Sequence, residues 1–98
     1  MQKKVDEWIQ THGGYWKPFE MFAALIEEVG ELSREILHIK KIKTKKETEP
    51  NNTLKIELGD IIFSIICIAN VFTIDLSDAF TESMEKFMKR DSSRFQNN

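Results

Sequence analysis

Residues 53–72 read TLKIELGDIIFSIICIANVF, and no other stretch restricts the fold as severely. Beyond Asp60 the run is apolar nearly all round a helical period, so as a helix it must be covered on most sides. The segment from Ile61 to Ala69 is far short of a membrane span. Glu57, Asp60 and Ser64 nevertheless place a polar stripe along it at i, i+3 and i+7. Carboxylates are rarely buried unless they are paired or bound to a metal. A chain of 98 residues makes one domain, 1–98, with a modest core. Four helices of this size can hardly cover the third one. The expectation is an all-α four-helix bundle that associates with itself as a homo-oligomer, dimer or tetramer.

Two acidic tetrads follow one pattern: Glu28-Val29-Gly30-Glu31 and Glu57-Leu58-Gly59-Asp60. Each reads acid, apolar, glycine, acid, and on a helix residues three apart lie on neighbouring faces. If the second and third helices pack side by side, Glu28, Glu31, Glu57 and Asp60 converge between them. Two carboxylates about 4 Å apart repel by roughly 4 kcal/mol at an effective dielectric of 20, so the cluster needs a cation or protons. All-oxygen ligation suits a hard ion, Mg²⁺ or Mn²⁺. Glycine costs about 1 kcal/mol against alanine inside a helix, so Gly30 and Gly59 point to a close backbone approach or a ligand.

Val5, Trp8 and Ile9 predict a short first helix over 2–12, stopped by His12-Gly13-Gly14. Tyr15-Trp16-Lys17-Pro18 then connects to a second helix over 18–38, with Pro18 suited to its first turn. His12, Tyr15 and Trp16 gather on this connector. They serve either as a cap on the core or as a stacking wall for a nucleobase. In the second helix Phe22, Leu25, Ile26, Val29, Leu32 and Ile36 form one apolar stripe. By itself that helix is an ordinary amphipathic one with a solvated acidic side. Residues 39–52 carry five lysines, a proline and two asparagines, and read as a flexible basic loop able to act as a flap over an anion. The third helix is predicted over 53–72. Asp75 or Ser77 then caps a fourth helix to about Arg90, before a polar tail over 91–98.

The 14 basic and 16 acidic side chains leave a net charge of −2, which gives no reason to expect a nucleic-acid polymer as partner. The single cysteine, Cys67, cannot close an intrachain disulfide and reads as a buried, inert thiol. With no apolar run behind the first lysines, a cytoplasmic location is expected, without a membrane partner. No G-x-x-x-x-G-K-[ST] loop is present, which excludes a P-loop mechanism. The two histidines are isolated and there is no H-E-x-x-H, so zinc is not indicated.

Glu27-Glu28-x-x-Glu31 followed by Glu57-x-x-Asp60 resembles the signature of the MazG-like nucleotide pyrophosphohydrolases. The flanks GYWKPFEMFAALIEEVGELSREI, ELGDIIFSIICIAN, IDLSDA and KFMKRDSSRF are similar to that family in the same order, from about Val5 to Phe95. The resemblance is to the small single-domain bacterial members. It implies an all-α fold with the active site between the second and third helices, and a Mg²⁺ site of Glu28, Glu31, Glu57 and Asp60. It also implies hydrolysis of a nucleoside triphosphate between the α and β phosphates to monophosphate and pyrophosphate. Lys86, Arg90 and Arg94 match a basic segment associated with phosphate contacts, although cations at a helix C-terminus are also normal for dipole reasons. Glu27 belongs to the motif with a role left open, and Asp91 is either a further ligand or an arginine's partner. Two alternatives stand beside this reading. One is a related enzyme for phosphoribosyl-ATP or dUTP, and the other is a non-catalytic helical oligomerisation module.

Overall fold

The computed structural model describes the backbone of residues 1–41 and 48–96, and the side chains of 1–38 and 53–91. Four helices follow one another: α1 (Gln2–Thr11), α2 (Pro18–Lys41), α3 (Thr48–Val71) and α4 (Leu76–Gln96). The all-α class and the order of the helices are as the periodicity predicts. The long helices run further than expected. Part of the polar tail is helical, and so is part of the stretch read as a basic loop, where Pro50 falls in the first turn of α3 and its missing N–H is not needed. The remainder of the loop, 42–47, and residues 97–98 lie outside the described residues.

Local chemistry sets each helix end. His12 N and Gly14 N both donate to the Ile9 carbonyl, at 3.0 and 2.9 Å, closing α1. The chain then passes through Gly13 at φ +106° and Gly14 at φ +88°, which only glycine adopts without strain. Glu20 reaches back from the first turn of α2 to accept from Lys17 N at 3.3 Å, half of a capping box. Asp75 caps α4, its Oδ1 accepting from Ser77 N at 2.8 Å and Asp78 N at 3.2 Å.

The antiparallel pair α2 and α3 forms the body of the molecule, and α1 lies on α3. Met21, Ile66, Cys67 and Ala69 are buried between them. α4 turns away from α3 by 108° and, among the described residues, has few contacts with the other helices. Phe80, Met84, Phe87 and Met88 along it are exposed, as are Phe22, Ile26 and Val29 on α2 and Ile62 and Ile65 on α3. The radius of gyration is 17.3 Å, against about 13 Å for a compact chain of this length. The accessible surface of 8232 Å² likewise exceeds the roughly 5,800 Å² of a globular monomer of this mass. No single helix among the described residues is long and apolar enough to cross a membrane.

Candidate active site

The α2–α3 seam sets Glu28 opposite Glu57 and Asp60. One carboxylate oxygen from each lies within 4.8 Å of the others. Glu28 and Glu57 are half-buried, and Asp60 is exposed. The Oε1 atom of Glu57 is buried without a hydrogen-bond partner. A buried carboxylate oxygen without a partner, on a side chain close to two other carboxylates, is costly unless a proton or a cation satisfies it.

The electrostatics follow from that crowding. Partial burial pushes the Glu28 carboxyl above its usual range, and the Asp60 charge, a hydrogen bond to Asp60, and then Glu57 and Glu31 act in the same sense. Glu57 is raised chiefly by partial burial and then by the charges of Glu31, Asp60 and Glu35, while Arg34 opposes them. A divalent cation between these groups would reverse the repulsion.

Glu31 is the member of the motif set apart from the three converging oxygens. Its Oε1 accepts from Arg34 Nη2 at 2.6 Å, on the exposed side of α2. It stays close enough to be the largest charge acting on Glu57. Glu27 is exposed and stands outside the cluster. Arg34 and Glu35, which the sequence reading passed over, also act on Glu57. Their signal was available in the spacing, since Arg34 follows Glu31 at i+3 and Glu35 follows it at i+4.

Beside the carboxylates lies an apolar cavity of about 360 Å³. Trp8, His12, Tyr15 and Trp16 line it from α1 and the connector, Met21 and Ala24 from α2, and Phe63, Ser64 and Cys67 from α3. Its size is that of a small-molecule pocket. The His12 ring stacks on Trp8 with centroids 4.2 Å apart and planes 22° from parallel. His12 Nδ1 donates to the Trp8 carbonyl at 2.7 Å, which fixes the ring. Trp8 meets Phe63 edge-on at 6.5 Å. Ala24 is one turn before Glu28, and Ser64 is one turn after Asp60, so cavity and carboxylates are neighbours along both helices. Trp8 and Phe63 were legible only as apolar helix positions.

The expected phosphate contacts are placed differently. Arg90 donates to its neighbour Asp91 through Nε at 2.9 Å and Nη2 at 3.1 Å. Asp91 is held below the usual carboxylate range mainly by that pairing. Arg90 and Lys86 also lie over the Phe87 ring, 4.9 and 5.2 Å from its centre. Lys86 borders a shallow groove at the root of α4 with Asp75, Asp78 and Glu82, away from the α2–α3 seam. The side chain of Arg94 lies outside the described residues. Gly30 and Gly59 have no close neighbour either. A Cβ at each would meet open space, so the close backbone approach expected there is absent among the described residues.

The family model for the MazG nucleotide pyrophosphohydrolase domain matches residues 17–95. The chain belongs to the MazG family. It is 42% identical over 96 residues to the uncharacterized protein YpjD of Bacillus subtilis (strain 168), a match covering 97% of this chain and 86% of that protein. The crystal structure of Bacillus subtilis YpjD, described as a candidate pyrophosphatase, superposes with a TM-score of 0.76 at 41% identity, covering 88% of this chain and 89% of that one. A Bacillus-conserved MazG protein, a nucleotide pyrophosphohydrolase, gives a TM-score of 0.72 at 40% identity, covering 89% and 84%. As a MazG domain the chain is a hydrolase acting on the pyrophosphate bond of a nucleotide.

Proposed function

We propose that this MazG domain, spanning 1–98, is a Mg²⁺-dependent nucleoside triphosphate pyrophosphohydrolase. Its site lies in the α2–α3 seam, and its role is to clear unwanted nucleotides from the cytoplasm. The observation that carries the reading is the three-carboxylate cluster, with its orphaned Glu57 oxygen, next to an aromatic cavity. Glu28, Glu57 and Asp60 offer hard oxygen donors suited to Mg²⁺, with Mn²⁺ as a substitute. Glu31 supplies a further charge and, released from Arg34, a fourth donor. When bound, the ion polarises the α-phosphoryl group and lowers the pKa of an attacking water.

The chain's own side chains do the rest. A carboxylate of the cluster not taken up by the ion, Glu28 or Glu31, accepts the water's proton as the water attacks the α-phosphorus, and pyrophosphate leaves. The cavity bounded by His12, Tyr15 and Trp16 receives the base, stacked among aromatic faces, and holds the α-phosphate one turn away over Asp60 and Glu28. The exposed apolar faces of α2, α3 and α4 suit burial against a second copy of the chain. Lys86, Arg90 and Arg94, on α4, are the candidates for phosphate contacts in such an assembly.

The deciding experiment measures pyrophosphate release from a panel of ribo- and deoxynucleoside triphosphates, including dUTP, and from phosphoribosyl-ATP, with Mg²⁺ and with EDTA. Mg²⁺-dependent release from triphosphates supports the proposal. Release from none of them, by a folded protein, overturns it.

A further inference from the structure

Outside the acidic seam, the described residues contain one connected, partly buried set of side-chain hydrogen bonds. It joins α1, the connector and α3, three of the elements that border the aromatic cavity, to the start of α4. Asn70, near the end of α3, is its centre. Asn70 Nδ2 donates to the Gln2 carbonyl at 3.1 Å and to the Tyr15 hydroxyl at 3.0 Å, and Oδ1 accepts from Gln2 Nε2 at 3.0 Å. Both N–H bonds of the amide are therefore used. Tyr15 passes its own proton on to Asp6 Oδ1 at 2.6 Å. Gln2 in turn donates to the Ile74 carbonyl at 2.8 Å and accepts from Leu76 N at 2.7 Å.

These side-chain bonds add to a turn whose own backbone closes it, Thr73 N donating to the Asn70 carbonyl at 3.2 Å and Ile74 N to the Ala69 carbonyl at 2.8 Å. Between α3 and α4 the chain passes through Thr73 at φ +56°, a left-handed conformation that a β-branched residue adopts only under constraint. Tyr15 is in a comparable position, on a connector that follows two glycines with positive φ and has no helix of its own. Asn70 thus anchors Tyr15, part of the non-helical wall of the cavity, to α3. It follows Asp60 by ten residues, about 15 Å along α3, so it cannot touch a metal or a phosphate in the seam.

We infer that Asn70 is a positioning residue for nucleotide binding, acting through Tyr15 to hold the cavity wall in the shape that receives the base. The inference rests on the proposed reading of the cavity as the base site. A lost hydrogen bond between neutral groups is worth a few-fold to about tenfold in an equilibrium. The expected signature is a KM three- to tenfold higher in Asn70→Ala and in Tyr15→Phe, with kcat within twofold of the parent. The double variant should be no worse than the worse single one, because both break the same link. Stabilisation of the free protein by Mg²⁺ should survive in both, since the carboxylates are untouched.

The test measures pyrophosphate release for these three variants and for Trp16→Ala, with the triphosphate that the parent uses best. Nucleotide-induced quenching of tryptophan fluorescence is followed alongside, using the α,β-imido analogue of that triphosphate. If Asn70→Ala fails to fold by circular dichroism, Tyr15→Phe alone decides, since it removes one hydroxyl and nothing else. A raised KM in Trp16→Ala with an unchanged KM in Tyr15→Phe overturns the positioning role but keeps the base site. An unchanged KM in all of them, Trp16→Ala included, removes the base site and the inference together. A lowered unfolding midpoint with no split between KM and kcat marks Asn70 as structural only and also overturns it.

Discussion

Glu28 and Asp60 face each other across the α2–α3 seam, with carboxylate oxygens inside 4.8 Å, and the Asp60 charge penalises ionisation of Glu28. The charges that act most strongly on Glu28 are all acidic. Such a pair stores binding capacity for protons or for a cation, and the two compete. The pH dependence of stability is therefore a direct probe of the site.

With EDTA present, Glu28→Gln should be more stable than the parent at neutral pH, and the gap should narrow as the pH falls. The sign follows from linkage. A carboxyl whose folded pKa is raised binds its proton more tightly in the folded than in the unfolded state, so it lowers stability above its folded pKa. The penalty disappears as the pH drops through that pKa toward the unfolded value. Thermal midpoints of both proteins across the acid range check this. A gap that widens toward acid contradicts it.

Glu57→Gln should abolish both turnover and Mg²⁺-induced stabilisation, while leaving the metal-free fold at least as stable as the parent. The substitution replaces a half-buried, repelled carboxylate with a neutral amide of equal size. Linkage predicts about 2.7 kcal/mol of stabilisation in the parent when free metal is 100-fold above its dissociation constant. Differential scanning calorimetry with and without Mg²⁺ measures it. A variant that keeps the full Mg²⁺ shift removes Glu57 from the ligand set.

Arg34→Ala should cost at most about 0.5 kcal/mol, as befits an exposed i,i+3 pair with Glu31. Its effect on rate should be larger than its effect on stability. Arg34 is the group that holds Glu57 down against its acidic neighbours, so removing it should move the acidic limb of the kcat/KM profile to higher pH. Arg34→Lys should restore part of the shift. A limb that stays in place would separate Glu57 from the titration that limits turnover.

The acidic seam was legible because a helix makes i and i+3 neighbours, and the tetrads repeat that spacing on two helices that had to pack. Glu31 was harder to read. Helical geometry allows it to turn either toward Glu57 or toward Arg34, and the choice depends on one salt bridge that spacing permits without requiring. Of the two readings of the glycines, the close backbone approach fails, because a missing Cβ marks free space as readily as close approach. The start of α3 at Thr48 was hidden by Pro50, a helix breaker in a helix interior but tolerated in a first turn. The direction of α4 is set by Thr73 and by bonds from Gln2, contacts between residues over seventy positions apart that no local pattern encodes.

Arg90→Ala tests whether α4 serves phosphate. Charge-assisted bonds to a triphosphate are worth roughly 1.5–3 kcal/mol, so kcat/KM should fall about tenfold or more. Arg90 is exposed and bonded to its sequence neighbour Asp91, an arrangement that contributes little to stability, so the unfolding midpoint should hardly move. A lowered midpoint with unchanged kcat/KM assigns Arg90 to the helix alone.

Phe80→Asp distinguishes a free α4 from one covered by a second copy. In the isolated chain Phe80 is 67% exposed, and a polar substitution at such a position ordinarily changes stability by no more than about 0.5 kcal/mol. If α4 packs against another copy, the same change puts a carboxylate into an apolar contact and leaves it without a partner, which costs several times as much. Light scattering at micromolar concentration should then give a mass of more than one chain for the parent and a smaller mass for the variant. The variant's unfolding midpoint should lose the concentration dependence that a folding-coupled oligomer shows. A parent of one-chain mass that is fully active would mean that the splayed α4 and the bare faces of α2 and α3 are tolerated in water, and that the site is complete within a single chain.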